Sequence, residues 1–279
     1  MTIFEHLPGL SVYDLGRTPS TAVAMDQRFS YCLYVPRTAR ADTSRVLVAV
    51  HGTERGNQGM RDLFIPLAEK LGLIVLAPLF PCGIHDPLDR DNYKYIAYRD
   101  IRFDHILLGM VDEVARRYGL ENGRFSLFGF SGGAHFVHRF FYLHPRRLEA
   151  VSICSPGSPT LLDPARPWWT GVSDMEQRFG RPLDLDAMRA VRVHLAVGRD
   201  DLDSREITHQ PGGAHWMEGA NDAGCTRVER LLSLDASLRD AGIETQFDLL
   251  PGVRHERDRL AESAIGFFET ALGAVNVAA

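Results

Sequence analysis

At 279 residues, 45% hydrophobic and 24% charged, the chain is long enough to bury a core of its own and has the composition of a folded globular protein. The formal net charge is −5 with no basic block, so a nucleic-acid partner has no electrostatic footprint. No stretch approaches the ~20 apolar residues that span a bilayer, so no membrane partner is expected, and the opening MTIFEHLPGL lacks the basic-then-apolar order of a secretory signal.

Taken in chain order, apolar or alternating runs predict strands at 10–15, 28–35 (RFSYCLYV) and 45–51 (RVLVAVH). Met60, Leu63, Phe64, Leu67, Ala68 and Leu71 then share one helical face, and Pro66 predicts a late start or a kink. A strand at 73–79 precedes a helix over 99–118 whose apolar face is Leu107, Val111, Val114 and Tyr118. A strand at 124–130 (RFSLFGF), the helix candidate AHFVHRFFYL and a strand at 148–154 follow. Beyond an irregular stretch come a strand at 191–197, a helix in 223–241 on Leu231, Leu234, Leu238 and Ala241, and a strand at 244–250. Ala261, Ala264, Ile265, Phe268 and Leu272 mark the last helix. Gly72, Gly119 and Gly242 sit where helix C-caps belong. This alternation predicts a doubly wound α/β sheet in a single domain, 1–279, with an irregular insertion at 155–190 and a loop insertion at 202–222. Adjacent Trp168 and Trp169 favour an ordered, functional first insertion.

GFSGG, 129–133, joins a predicted strand to a predicted helix. A serine at such a turn has a strained backbone and an exposed hydroxyl, and the flanking Gly129 and Gly133 relieve the crowding. Ser131 is the candidate nucleophile, and the N–H of Gly132, at the helix start, is a candidate oxyanion donor. A serine hydroxyl needs a base. His255, in LLPGVRHERD, follows the last predicted strand at a turn made by Pro251 and Gly252. His51 precedes the serine, and His194 lies inside a strand. His135 and His138 share a polar helix face with Arg139 and Tyr142 and lack the H-E-x-x-H spacing of a metal site. The acid that orients the base falls among Asp200, Asp201 and Asp203 of VGRDDLDS. VHGTERG, 50–56, offers a second oxyanion donor in the N–H of Thr53, with Gly52 permitting close backbone approach. Glu54 and Arg55 read as a solvated charge pair, with contact of Arg55 to an anionic substrate as the alternative. Phe80, Phe130, Trp168, Trp169 and Trp216 fall in or near the loops expected around Ser131 and are substrate-binding candidates. Cys32, Cys82, Cys154 and Cys225 are scattered without a C-x-x-C pair, which predicts reduced thiols, no metal site and a cytoplasmic setting.

With VHGT, GFSGG, GRDD and PGVRH in that order, the chain resembles the α/β-hydrolases over essentially its whole length. VHGT, LAPLFP, the 202–222 insert and PGVRH are similar to bacterial esterases related to polyhydroxyalkanoate depolymerases and feruloyl esterases. The resemblance implies an eight-stranded, mostly parallel sheet with an antiparallel second strand, and a Ser-His-Asp acyl-enzyme route without a cofactor. It also implies a cap-like insertion between the sixth and seventh strands, here 155–190, and an acid three residues after a glycine that ends the seventh strand; Gly198 plus three is Asp201. The expected activity is hydrolysis of a small carboxylic ester. Amides, lactones and the C–C bonds of β-diketones are alternatives for the same triad, and ligand binding without turnover is an alternative of another class. A serine nucleophile disfavours the haloalkane dehalogenase and epoxide hydrolase activities.

Overall fold

The computed structural model describes residues 2–7 and 9–273. Its strands are β1 (Gly16–Arg17), β2 (Thr21–Val23), β3 (Asp26–Val35), β4 (Val46–Val50), β5 (Ile74–Leu79), β6 (Ala97–Tyr98), β7 (Ile101–Arg102), β8 (Phe125–Phe130), β9 (Leu148–Cys154), β10 (Arg192–Gly198) and β11 (Thr245–Leu250). The α-helices are α1 (Ile3–His6), α2 (Asn57–Leu63), α3 (Ile65–Leu71), α4 (Phe103–Tyr118), α5 (Gly132–Leu143), α6 (Met175–Phe179), α7 (Leu185–Arg189), α8 (Arg227–Asp240) and α9 (Arg257–Gly273).

Among the described residues, nine strands form one sheet in the order β1-β3-β5-β4-β8-β9-β10-β11, with β2 paired to β3. β3 runs antiparallel to β1, β2 and β5. From β5 to β11 every neighbouring pair is parallel. Parallel strands need crossovers, and the helices that make them cover both faces. In β4, Val46, Val48 and Val50 join the core that holds Leu107, Phe136 and Leu234 of α4, α5 and α8. Leu47 and Ala49 join the core holding Met60, Leu67 and Phe268 of α2, α3 and α9. Period-2 alternation of one strand thus feeds two cores, and each large apolar side chain fully buried there contributes roughly 1.5–3 kcal/mol.

The predicted strand at 10–15 is a short 3₁₀ turn, Val12–Asp14. Ser11 donates through its N–H (2.7 Å) and its hydroxyl (2.9 Å) to the Asp14 carboxylate. That local capping beats the alternation, and Val12 and Tyr13 are left 66% and 75% exposed. The 60–71 pattern is two helices broken at Phe64, with Pro66 in the first turn of the second. The 99–118 helix starts at Phe103, because 97–102 form the β6–β7 ribbon.

The polar face of α5 is buried, not solvated. Residues 155–160 lie over it and are buried throughout. Gly157 N–H and Ser158 N–H donate to His135 Nε2 (2.7 and 3.2 Å), Thr160 N–H donates to His138 Nε2 (2.9 Å), and Tyr142 donates to the Thr160 carbonyl (2.7 Å). Arg139 donates to Thr160 Oγ1 (2.8 Å) and to the carbonyls of Ser158 (2.8 Å) and Lys94 (2.6 Å). Its guanidinium stacks against Tyr95, Trp169 and Trp168 at 4.5, 5.5 and 5.9 Å. These side chains satisfy the backbone groups of an otherwise irregular segment.

Candidate active site

β4, β8, β10 and β11 all end at one edge of the sheet, and the loops that leave them meet there. Ser131 follows β8 with φ 54° and ψ −116°, a sparsely populated conformation that costs about 1–3 kcal/mol. The surroundings hold it in place. Ser131 N–H donates to the Cys154 carbonyl (2.9 Å), and its own carbonyl accepts from Ala134 and His135 at the start of α5 (3.0 and 3.2 Å). The tight turn also dictates the glycines. A Cβ on Gly129 would lie 2.5 Å from the Gly133 backbone, and one on Gly133 would lie 2.5 Å from the Val50 carbonyl.

His255, after β11, directs Nδ1 at Asp201 Oδ2 across 2.6 Å. Its ring packs on Phe130, centroids 4.6 Å apart. Gly198 makes this approach possible, since a Cβ there would lie 2.3 Å from the Val253 carbonyl and 2.4 Å from that of Arg254. The Asp201 side chain is 1% exposed. Its other oxygen, Oδ1, accepts from Arg227 Nη1 at the start of α8 (3.2 Å). Burial alone would raise the Asp201 pKa. The hydrogen bond from His255 and the charge of Arg227 outweigh it and hold the carboxyl below its ordinary range. Asp203 is half exposed and bound to Arg205 (2.9 Å), and Asp200 is exposed, so neither faces the imidazole.

Ser131 and His255 line one cleft of about 860 Å³ together with Gly52, Thr53, Phe130 and Lys94. Among the described residues no hydrogen bond joins Ser131 Oγ to His255. Such links are often open in free enzymes and tighten around substrate. The Gly52–Thr53 turn lies beside the serine: a Cβ on Gly52 would sit 3.6 Å from the Phe130 carbonyl and 3.9 Å from Ser131 Cβ. Neither Thr53 N–H nor Gly132 N–H donates to another group of the described residues.

The turn is fixed from behind by two residues whose part the sequence did not reveal. His51, fully buried, accepts from Phe80 N–H at Nε2 (3.0 Å) and meets the Gly52 carbonyl through Nδ1 (2.8 Å). Burial pushes its pKa down to about 3, so it stays neutral. Arg55 does not form a solvated pair with Glu54. It donates to the carbonyls of Thr53 (2.7 Å) and Phe80 (3.1 Å) and to Asn92 Oδ1 (3.2 Å), and lies over Tyr93. Arg227 was equally hidden: 26 residues separate it from Asp201, and only the landing of α8 unites them.

Of the aromatic candidates, Phe130 lines the cleft. Phe80 is fully buried among Phe29, Tyr93, Phe103 and Phe136. Trp168 and Trp169 line a separate small cavity with Tyr95, Tyr98 and Phe179, and Trp216 is 46% exposed away from both. The aromatic count around Ser131 is therefore lower than the loops implied, and much of the cleft wall is charged: Glu54, Lys94, Glu206, Glu256, Arg257, Asp258 and Arg259. The four cysteines are free thiols, Cys32 and Cys154 buried and Cys82 and Cys225 exposed. No group of three or more His, Cys, Asp or Glu among the described residues is placed to hold a metal ion. No described helix is long and apolar enough to cross a membrane.

No protein-family model matches the chain, and no curated protein does. Solved structures do. A poly(aspartic acid) hydrolase from Sphingomonas sp. KT-1 superposes with a TM-score of 0.70 at 23% identity, over 85% of this chain and 92% of that one. A poly(3-hydroxybutyrate) depolymerase from Bordetella parapertussis gives 0.70 at 20% identity, over 91% and 90%. A ferulic acid esterase gives 0.62 at 16% identity, over 91% and 96%. At these identities the likeness is one of fold.

Proposed function

We propose that this chain, whose fold is that of the α/β-hydrolases, is a serine hydrolase that cleaves small carboxylic esters. The observation that carries the reading is the 2.6 Å contact between Asp201 and His255 Nδ1, at the wall of the cleft that holds a conformationally strained Ser131.

In this reading His255 Nε2 closes on Ser131 Oγ when substrate fills the cleft. It takes the hydroxyl proton as Oγ attacks the carbonyl carbon. Asp201 keeps the Nδ1–H tautomer and offsets the imidazolium charge. The N–H groups of Thr53 and Gly132 hold the oxyanion, and loss of one such donor costs about 10²–10³ in rate. His255 then gives the proton to the departing alcohol. Water repeats the sequence on the acyl-enzyme and frees the acid. Phe130 contacts the base and borders the acyl group. Free thiols on all four cysteines are in keeping with a reducing compartment such as the cytoplasm. Amides stand beside esters as substrates, because one structural neighbour is a hydrolase of poly(aspartic acid).

Stopped-flow hydrolysis of a 4-nitrophenyl ester tests the reading. A burst of nitrophenol stoichiometric with enzyme, lost in Ser131→Ala with its melting temperature kept, is the expected result. Full esterase activity in Ser131→Ala would overturn it.

A further inference from the structure

Lys94 is one of only two lysines in the chain, the other being Lys70. It lies on the cleft wall, with a side chain only 12% exposed. Its place is set on every side. Its carbonyl accepts from the buried Arg139 (2.6 Å), its N–H donates to the Asp91 carbonyl (3.0 Å), and the preceding Tyr93 donates its hydroxyl to the His51 carbonyl (3.0 Å). Its stem runs over the Gly132 peptide. A Cβ on Gly132 would meet Lys94 Cε at 2.9 Å, Thr53 Oγ1 at 2.8 Å and Tyr93 Oη at 2.7 Å. The glycine after the nucleophile thus leaves the space that the stem of this lysine occupies. The ammonium, one bond beyond Cε, donates to Asp91 Oδ1 (2.6 Å). Asp91 is 40% exposed and also faces His215 (3.6 Å).

The other cations of the cleft differ. Arg257 pairs with Asp258 (2.7 Å) and Arg259 with Glu262 (3.5 Å), and both sit at the exposed rim. Lys94 alone among them is nearly buried and packed on the peptide whose N–H is assigned to the oxyanion. A charge so placed, where water is largely excluded, acts on negative charge that develops at that peptide.

We propose that Lys94 is an electrostatic component of the oxyanion hole, held in place by Asp91, and not a recognition group for a charged substrate. The proposal rests on the serine-hydrolase reading. Lys94 works through its field, and Asp91 tempers it by partial neutralisation. Removal of the lysine therefore costs less than removal of a direct donor, and removal of the Asp91 charge has the opposite sign.

The test compares Lys94→Met, Lys94→Arg and Asp91→Asn on 4-nitrophenyl acetate and on mono-4-nitrophenyl succinate, whose acyl chain carries a carboxylate. An arylboronic acid serves as the tetrahedral anionic analogue. Lys94→Met is expected to lower kcat/KM about tenfold on both esters and to weaken the boronate by a similar factor, with the melting temperature little changed. Lys94→Arg recovers most of the loss, and Asp91→Asn raises kcat/KM. Three results overturn the proposal: Lys94→Met with wild-type kcat/KM, a loss confined to the succinate ester, or an equal loss in Asp91→Asn, which would make the ion pair merely structural. Failure of the underlying reading looks different, because wild-type Ser131 would then not react with a fluorophosphonate at all.

Discussion

At the scale of single residues, the candidate site lies where local rules are broken. Ser131 has a backbone few serines adopt, and Gly129, Gly133 and Gly198 are glycines because neighbouring carbonyls stand where a Cβ would go. Asp201 is a nearly buried carboxylate bound by His255 and by the Arg227 cation, so its environment holds it ionised. Asp201→Asn is expected to keep the fold and to lower kcat by a factor on the order of 10⁴, since an amide favours the wrong imidazole tautomer; single-turnover kinetics with a circular dichroism control measure it. Ser131, His255 and the acidic loop were legible in the sequence, because each sits at a turn whose chemistry is local. The choice of Asp201 over Asp200 and Asp203 was not local. It needed the resemblance to known hydrolases, and burial beside His255 is its physical counterpart. Phe80, Trp168, Trp169 and Trp216 carried no signal of direction: loop position places a ring near a site but does not say which way it points.

At the scale of elements, two buried polar junctions hold the site's supports. Asp104, in the first turn of α4, is fully buried and accepts from Arg102 (2.7 Å) and contacts His144 Nε2 (2.7 Å) at the end of α5. Burial opposes its ionisation, but His144 and Arg102 prevail and bring its pKa down to about 2. A depressed carboxylate contributes stability above its unfolded pKa, about 3.9, and loses it as pH falls through the folded value. Between pH 4 and 2 the wild type should therefore lose stability that Asp104→Asn never had. At neutral pH that variant, which strands the partners, should be less stable by about 3–5 kcal/mol, read by urea unfolding. Arg139 is the second junction. Burial lowers its pKa to about 10, which still leaves it charged at neutral pH. Arg139→Ala removes the donor from Thr160, Ser158 and Lys94 together, at a cost of about 2–4 kcal/mol. Hydrogen exchange should rise in 155–169 while the sheet stays protected; unchanged exchange there would contradict the packing described. In the sequence the α5 face read only as a polar stripe. Nothing local says that an irregular segment returns to cover it, because its partners lie about 20 residues downstream in a stretch without periodicity.

At the scale of the whole molecule, the parallel sheet was readable from its apolar runs, and its antiparallel β3 from the resemblance. Strand order was not readable from composition or period, since it depends on which crossover packs on which face. That order matters chemically: it sets β8 beside β4 and β10 beside β11, and so brings Ser131 to Thr53 and Asp201 to His255. The sheet edge is the shared origin of all four groups, and the proposed reaction requires them to act as one site around Ser131. Intact-mass and peptide mapping after reaction with a fluorophosphonate measure this most directly. One adduct per chain is expected, on Ser131, formed fast in the wild type and at least ~10²-fold more slowly in His255→Ala. No adduct on Ser131, or one formed equally fast without His255, would contradict it.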